Sequence, residues 1–214
     1  MTRILLIRHG ETAWNAVRRL QGHTDIPLNE EGERQAEALA RSLAGEPLDA
    51  IISSDLGRAM QTAQAVAARH PQVPLHTDSG LRERGYGAFE GLLYTEIAER
   101  YPVEFAEWQA RDVDAVMPSA NRVAESFRQF YQRCQDGIAH WAERYPMQSI
   151  LIVAHGGVLE CAYRAARGLS IDGPRDFQIK NASINRFSFS NGALALEQWG
   201  ESAHLQTAAR DDIV

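Results

Sequence analysis

Lysine is almost missing from this chain: Lys180 is the single one in 214 residues, and the other basic residues are arginines. Without a second lysine there is no G-x-x-x-x-G-K-[ST] loop, so a P-loop nucleotide site is excluded. A lysine Schiff base has only Lys180 to form on. Cysteine is scarce too, and Cys134 and Cys161 lack C-x-x-C spacing, which speaks against structural zinc. They read as buried free thiols of a reducing compartment. No apolar run approaches the roughly 20 residues of a membrane span. The opening Met1-Thr2-Arg3-Ile4-Leu5-Leu6-Ile7 is too short for a secretory core and is followed at once by Arg8 and His9. It reads as a strand, and a cytoplasmic location is expected. A basic excess is also lacking: 28 acidic against 22 basic residues leave a net charge of −6, so no nucleic-acid surface is expected.

What is present is an ordinary globular composition, 44% hydrophobic and 23% charged, at a length suited to one domain over residues 1–214. Short β-branched and leucine runs at 3–7, 49–53 and 149–154 read as buried strands. Between them lie amphipathic segments. Asn29 is placed to cap a helix whose apolar face is Ala36, Leu39, Ala40 and Leu43. Further helices are expected at 59–69, at 94–111 with a break near Pro102, at 123–144 and at 158–167. The 123–144 helix carries Val123, Phe127, Phe130, Tyr131, Cys134, Ile138 and Trp141 at helical spacing. A short strand is expected at 75–77, and 183–189 with 193–199 reads as a hairpin around Ser190-Asn191-Gly192. The tail after Glu201 is polar and expected to be loose. Alternating strands and helices give an α/β class: a mostly parallel central sheet flanked by helices on both faces, with a small helical lid at about 94–122.

In such sheets ligands bind beyond the carboxyl ends of the strands. There stand Arg8 and His9 after the first strand, Arg58 after the second, and His155 with Gly156 and Gly157 after the third. Two guanidiniums brought together need an anion between them, and their planar forks match phosphate oxygens. Glycine beside each histidine lets backbone N–H groups approach the same anion. A neutral imidazole is a competent nucleophile near neutral pH. His9 is therefore read as attacking phosphorus, with His155 donating to the phosphoryl oxygens and the arginines stabilising charge. Glu83, in the glycine-rich stretch 78–91, is the candidate general acid, since neighbouring phosphate charge favours a protonated carboxyl. Glu11 and Glu90 are nearby carboxylates, with Glu11 read as orienting its loop. His23 is placed on a rim loop, with a role in substrate choice as one reading and packing as the other. Arg18 and Arg19 read as a solvated helix face or as contacts for an anionic substrate tail. Trp14, Trp108 and Trp141 read as packing, with Trp108 near the lid.

These stretches also resemble a known family. Leu6-Ile7-Arg8-His9-Gly10-Glu11-Thr12 with Trp14-Asn15, then Gln21-Gly22, Asp25 and Pro27-Leu28, are similar to the first block of the histidine phosphatase superfamily, in its phosphoglycerate-mutase-like branch 1. Ser53-Ser54-Asp55-Leu56-Gly57-Arg58-Ala59, Leu81-Arg82-Glu83 with Gly87-Ala88-Phe89-Glu90-Gly91, and Val153-Ala154-His155-Gly156-Gly157 resemble the later blocks, in family order. The resemblance implies His9 as phospho-acceptor, Arg8, Arg58 and His155 as the pocket, and Glu83 as proton donor. It also implies that Asn15, Gln21 and Gly22 touch the phosphate or its ester group, and that no metal or other cofactor is needed. Where the family commonly has Pro-Gly-Gly-Glu-Ser, this chain departs, with Pro118-Ser119-Ala120-Asn121-Arg122-Val123-Ala124-Glu125-Ser126. About 40 residues separate Glu83 from Val123, fewer than in the mutases, so the resemblance is nearest to the small-lid phosphatases. The expected activity is hydrolysis of small phosphomonoesters. A phosphoglycerate mutase dependent on 2,3-bisphosphoglycerate is the alternative, and a non-catalytic phospho-ligand module the competing class. Sugar phosphates, phosphoglycerates, phosphoserine, nucleotide monophosphates and α-ribazole phosphate all remain open as substrates. A homodimer is compatible with the sequence, but nothing in it indicates one.

Overall fold

A computed structural model describes residues 1–205. One six-stranded sheet runs through it in the order β3-β2-β4-β1-β5-β6. The strands are β1 (Thr2–Arg8), β2 (Ala50–Ser53), β3 (Leu75–Thr77), β4 (Ser149–Ala154), β5 (Ile184–Ser190) and β6 (Ala193–Glu201). β3, β2, β4 and β1 pair in parallel, while β5 runs antiparallel to β1 and β6 antiparallel to β5. The helices are α1 (Ala13–Ala16), α2 (Glu30–Ser42), α3 (Gly57–Ala67), α4 (Tyr94–Arg100), α5 (Pro102–Gln109), α6 (Phe127–Arg144) and α7 (Gly156–Arg167).

The central strands are apolar on both sides because both sides are covered. Successive side chains alternate between faces. Ile4 and Leu6 of β1 pack with Phe130 and Ile138 of α6 and Val158 of α7. Leu5 and Ile7 pack on the other face with Leu39 of α2 and Ala63 and Val66 of α3. Asn29 caps α2, its Oδ1 accepting from Gly32 N at 2.8 Å.

This topology prepares a crevice. The chain leaves β1 toward the α2/α3 face and leaves β4 toward the α6/α7 face, although β1 and β4 are neighbours. Loops diverging from adjacent parallel strands open a gap at their carboxyl ends. Register then decides what faces that gap. Arg8 lies opposite Ala154, and Ser53 opposite Val153. Ladder hydrogen bonds continue one step further, His9 N to Ala154 O at 3.0 Å and Ser54 N to Val153 O at 2.9 Å. His9, His155 and Ser54 therefore end up side by side.

Over the crevice, α4 and α5 form the helical cover expected near 94–122, with Pro102 opening α5. They are held by an aromatic cluster of Phe89, Ile97, Trp108 and Met117, supported by Tyr86 and Tyr94. Trp108 is its centre, with ring contacts to Tyr86, Phe89, Tyr94 and Phe105.

Three expectations need correcting. The long helix starts at Phe127, not at 123, and Val123 is 51% exposed. Ser126 caps it, because its Oγ accepts from Gln129 N while Gln129 Oε1 accepts from Ser126 N. Residues 118–125 turn at Ser119–Arg122, with Ala120 and Asn121 at positive φ, and then pair with the loop after Glu83 through Gly87 N to Val123 O and Glu125 N to Gly85 O, both at 3.0 Å. Arg18 and Arg19 are not on a helix face, since α1 ends at Ala16 and Arg18 has φ 59°. Of the tail, 206–214 lie outside the described residues, but its first part is tied down by His204 Nε2 donating to Ala182 O at 2.9 Å. Cys134 and Cys161 are buried free thiols, as expected.

Ile152, in the central strand β4, is fully buried in the α6/α7 core. Ile152→Ala should cost about 2–5 kcal/mol. Urea unfolding measures this, and a loss under 1 kcal/mol, on the order of a tolerated surface change, contradicts the packing described.

Candidate active site

Arg8 and Arg58 are 2% and 1% exposed, which a charged side chain tolerates only when its donors are used. Arg8 Nη1 donates to Ile179 O at 2.7 Å. Arg58 donates to Gly22 O at 2.8 Å and to Thr24 O at 3.0 Å. Gly22 can supply that carbonyl because it holds φ 55°, a conformation natural only to glycine, and a Cβ there would overlap the Glu90 carboxylate. The hydrogen bonds of Arg58 run from its two Nη atoms to backbone carbonyls and form no direct ion pair. Burial pushes the Arg58 guanidinium down to about 10, still cationic at neutral pH.

Between the arginines lie the two imidazoles, ring centroids 5.1 Å apart. His9 Nδ1 is 2.7 Å from Gly10 O. A carbonyl only accepts, so Nδ1 carries the proton and Nε2 keeps its lone pair. Burial first, and then Arg58 and Arg8, hold His9 well below the ordinary 6.5. His155 is lowered in the same way, by burial and then by Arg58. Its Nε2 shares a 2.8 Å hydrogen bond with Ser54 Oγ. His155 Nδ1 and Arg58 Nε are buried without a hydrogen-bond partner among the described residues. Such atoms are costly unless a ligand meets them.

Glu83 reaches the same cleft, which is open to solvent, spans about 650 Å³ with its mouth included and is lined also by Asn15, Gln21, Gly22 and Gly156. Its Oε2 accepts from Gly157 N at 3.0 Å and its Oε1 from Arg84 N at 2.8 Å. Gly157 must lack a Cβ, which would overlap Glu83 Oε1 and stand 2.8 Å from Phe130 Cε1. Gly156 opens α7 at the cleft, and the helix's next N–H, that of Gly157, is the one that holds Glu83. Thr12 Oγ1 lies 3.1 Å from Asn15 Oδ1 and 3.0 Å from Gln21 Oε1, so these two amides are braced against one hydroxyl. Arg8, His9, Asn15, Gln21, Gly22, Arg58, Glu83 and Gly156 thus line one cleft, and His155 is buried beside His9.

The structure adds residues that the sequence reading passed over. Ser54 braces His155, and Asn181 Nδ2 donates to His9 O at 3.0 Å. Arg133 of α6 donates to Gly80 O, Arg82 O and Glu83 O and forms a bidentate pair with Glu125. His23 Nε2 also donates to Glu83 O, at 2.8 Å, so the rim histidine supports the acid loop. Glu90, considered only as a rival acid, accepts from His23 N, Thr24 N, Thr24 Oγ1 and Tyr86 N. Glu11 Oε1 accepts from Asn29 Nδ2 at 2.9 Å, which fits the loop-orienting reading. Arg19 is tied to Gly91 O and Glu96, whereas Arg18 stays exposed on the cleft rim. Among the described residues no group of three or more His, Cys, Asp or Glu is arranged to hold a metal. No helix among them is long and apolar enough to cross a membrane.

A histidine held neutral in the fold but free to protonate at 6.5 when unfolded makes stability fall as pH drops through 6.5. Removing it should flatten that fall. His9→Gln is expected to lose less stability than the parent between neutrality and mildly acid pH, as thermal unfolding across pH would show. A parallel fall in both proteins contradicts a depressed His9.

Known proteins resemble the chain over nearly its whole length. Phosphoglycerate mutase-like protein 4 of Arabidopsis thaliana is 35% identical over 205 residues, covering 95% of this chain and 86% of its own. The metal-independent phosphoserine phosphatase of the same plant is 34% identical over 210 residues, covering 97% and 84%. Among solved structures, Bacillus stearothermophilus YhfR superposes with a TM-score of 0.86 at 31% identity, over 96% of this chain and 100% of that one. The pattern of the histidine phosphatase superfamily (branch 1) matches residues 4–202, and the chain belongs to that family.

Proposed function

We propose that the protein is a metal-independent phosphomonoester hydrolase that works through a phosphohistidine on His9, with Glu83 as general acid and base. The observation that carries this reading is the His9 Nδ1–H···O=C bond to Gly10, which leaves Nε2 as a lone-pair nitrogen in a buried cleft between two arginines. A phosphoryl group in the cleft brings acceptors to Arg58 Nε, His155 and the α7 N-terminus. The amides of Asn15 and Gln21 lie on the same lining.

In the first step the Nε2 lone pair forms the N–P bond as the P–O ester bond breaks. The departing oxygen keeps the bonding pair and takes the proton of the Glu83 carboxyl. The imidazole, now bonded to phosphorus at Nε2 and still protonated at Nδ1, carries positive charge that Gly10 O stabilises. In the second step the Glu83 carboxylate takes a proton from water, the oxygen attacks phosphorus, and the N–P pair returns to Nε2. The donors around the phosphoryl group act on charge that grows in each transition state. The 34% identical relative named as a metal-independent phosphoserine phosphatase supports the same chemistry. The relative named for phosphoglycerate mutase keeps the transferase reading in view.

Three outcomes check this proposal. Hydrolysis of p-nitrophenyl phosphate should proceed in full with EDTA present, and loss in chelator contradicts it. Turnover quenched in alkali, where a P–N bond survives, should leave phosphate on His9 by mass spectrometry, and His9→Ala should abolish turnover. Label on serine or aspartate overturns the assignment, and isomerisation of 3-phosphoglycerate stimulated by 2,3-bisphosphoglycerate makes the protein a mutase. Gly157→Ala, by displacing Glu83, should lower kcat by about 100-fold with a far smaller change in KM. An unchanged kcat removes Glu83 from the reaction.

A further inference from the structure

A second cavity, open to solvent and spanning about 500 Å³ with its mouth included, shares walls with the catalytic cleft. Tyr86 and Trp108 line both, and their rings stand 5.7 Å apart. The two spaces also meet around the acid. Glu83 lines the cleft, and Gly157, whose N–H holds its Oε2, lines the second cavity.

The position of Glu83 decides where a leaving group goes. An ester oxygen within reach of the Glu83 carboxyl directs its substituent past Gly157, away from the arginines that hold the phosphoryl group. That path enters the second cavity, whose walls include Tyr86, Trp108, Val113, Phe127, Phe130 and Ile171. The charged groups on those walls are engaged with the protein itself. Arg84 donates to Glu125 O, Ala115 O and Met117 Sδ, and lies over the rings of Tyr86 and Phe127. Glu160 accepts from both Arg111 and Arg164. Arg111 lies over Phe127, with its Nη2 paired to Glu160 and its buried Nε without a partner among the described residues. What this cavity offers a ligand is mainly rings and methyl groups, beside the internally paired Arg111 and an exposed Asp112 that accepts from Asp114 N. An anionic leaving group would find its free cation elsewhere, at exposed Arg18 on the rim of the catalytic cleft.

We propose that the second cavity is the leaving-group subsite and selects phosphomonoesters of aromatic or bulky apolar alcohols over those of small charged ones. This inference rests on the hydrolase reading above. Its contacts come largely from Trp108, Val113 and Phe127, in and after the cover, and from Ile171 beyond α7. These lie outside the segments that position the phosphoryl group, so phosphate chemistry and alcohol choice are set by separate parts of the chain.

The test compares kcat/KM for ethyl phosphate, benzyl phosphate and O-phosphoserine. Ethyl and benzyl alkoxides are similar leaving groups, so their ratio reports binding of the alcohol and not its electronics. Benzyl phosphate should exceed ethyl phosphate and O-phosphoserine by about tenfold or more, the scale set by filling a hydrophobic pocket. Phe127→Ala, or Val113→Asp if that variant fails to fold, should reduce the benzyl-to-ethyl ratio by about tenfold. Ethyl phosphate hydrolysis with no benzyl advantage, or an advantage that survives both variants, overturns the subsite and leaves the hydrolase reading intact. O-phosphoserine as the best of the three overturns it in favour of an anionic leaving group at Arg18. If none of the three esters is hydrolysed, the hydrolase reading falls and the subsite with it.

Discussion

The site depends on keeping guanidinium charge buried and uncancelled. Arg58 is sealed from water, yet its hydrogen bonds go to the carbonyls of Gly22 and Thr24. Carbonyls meet the geometric demand of the N–H groups and leave most of the charge for a ligand. The same charge, together with burial, denies protons to His9 and His155. One arrangement therefore provides both an anion-binding field and a neutral imidazole. The cost of this burial must be met by the surrounding packing, and the two-faced apolar strands directly beneath the cleft provide it.

A second principle is the division of labour among carboxylates. Glu90 and Glu125 are used up by backbone N–H groups and arginines that shape the loops. Glu83 differs, because it is held from outside. Arg133 and His23 grip its backbone carbonyl, while Gly157 N and Arg84 N touch its carboxylate. A side chain fixed through its main chain keeps a carboxyl edge at the cleft. The segment 118–125, where the sequence departs from the family pattern, pairs with this loop, so the departure bears on how the acid is carried.

Much of this was legible in the chain. The buried strands announced themselves as β-branched runs, and the residues after them come together because neighbouring parallel strands end side by side. Asn29 was readable as a cap because its chemistry is local. The start of α6 was not legible. Val123 continues the helical spacing, but backbone pairing with the acid loop claims residues up to Glu125 first. Ser54, Asn181 and Arg133 were also hidden, since each acts through long-range hydrogen bonds that no spacing encodes. Arg18 and Arg19 misled because their spacing suits a helix that ends at Ala16.

The central claim is a neutral His9 with its proton on Nδ1, held so by buried cations, and long-range ¹H–¹⁵N NMR of the imidazole reads that state directly. The account predicts a neutral ring protonated at Nδ1 at pH 6.5 in the ligand-free protein. An imidazolium at that pH, or a neutral ring protonated at Nε2, contradicts it.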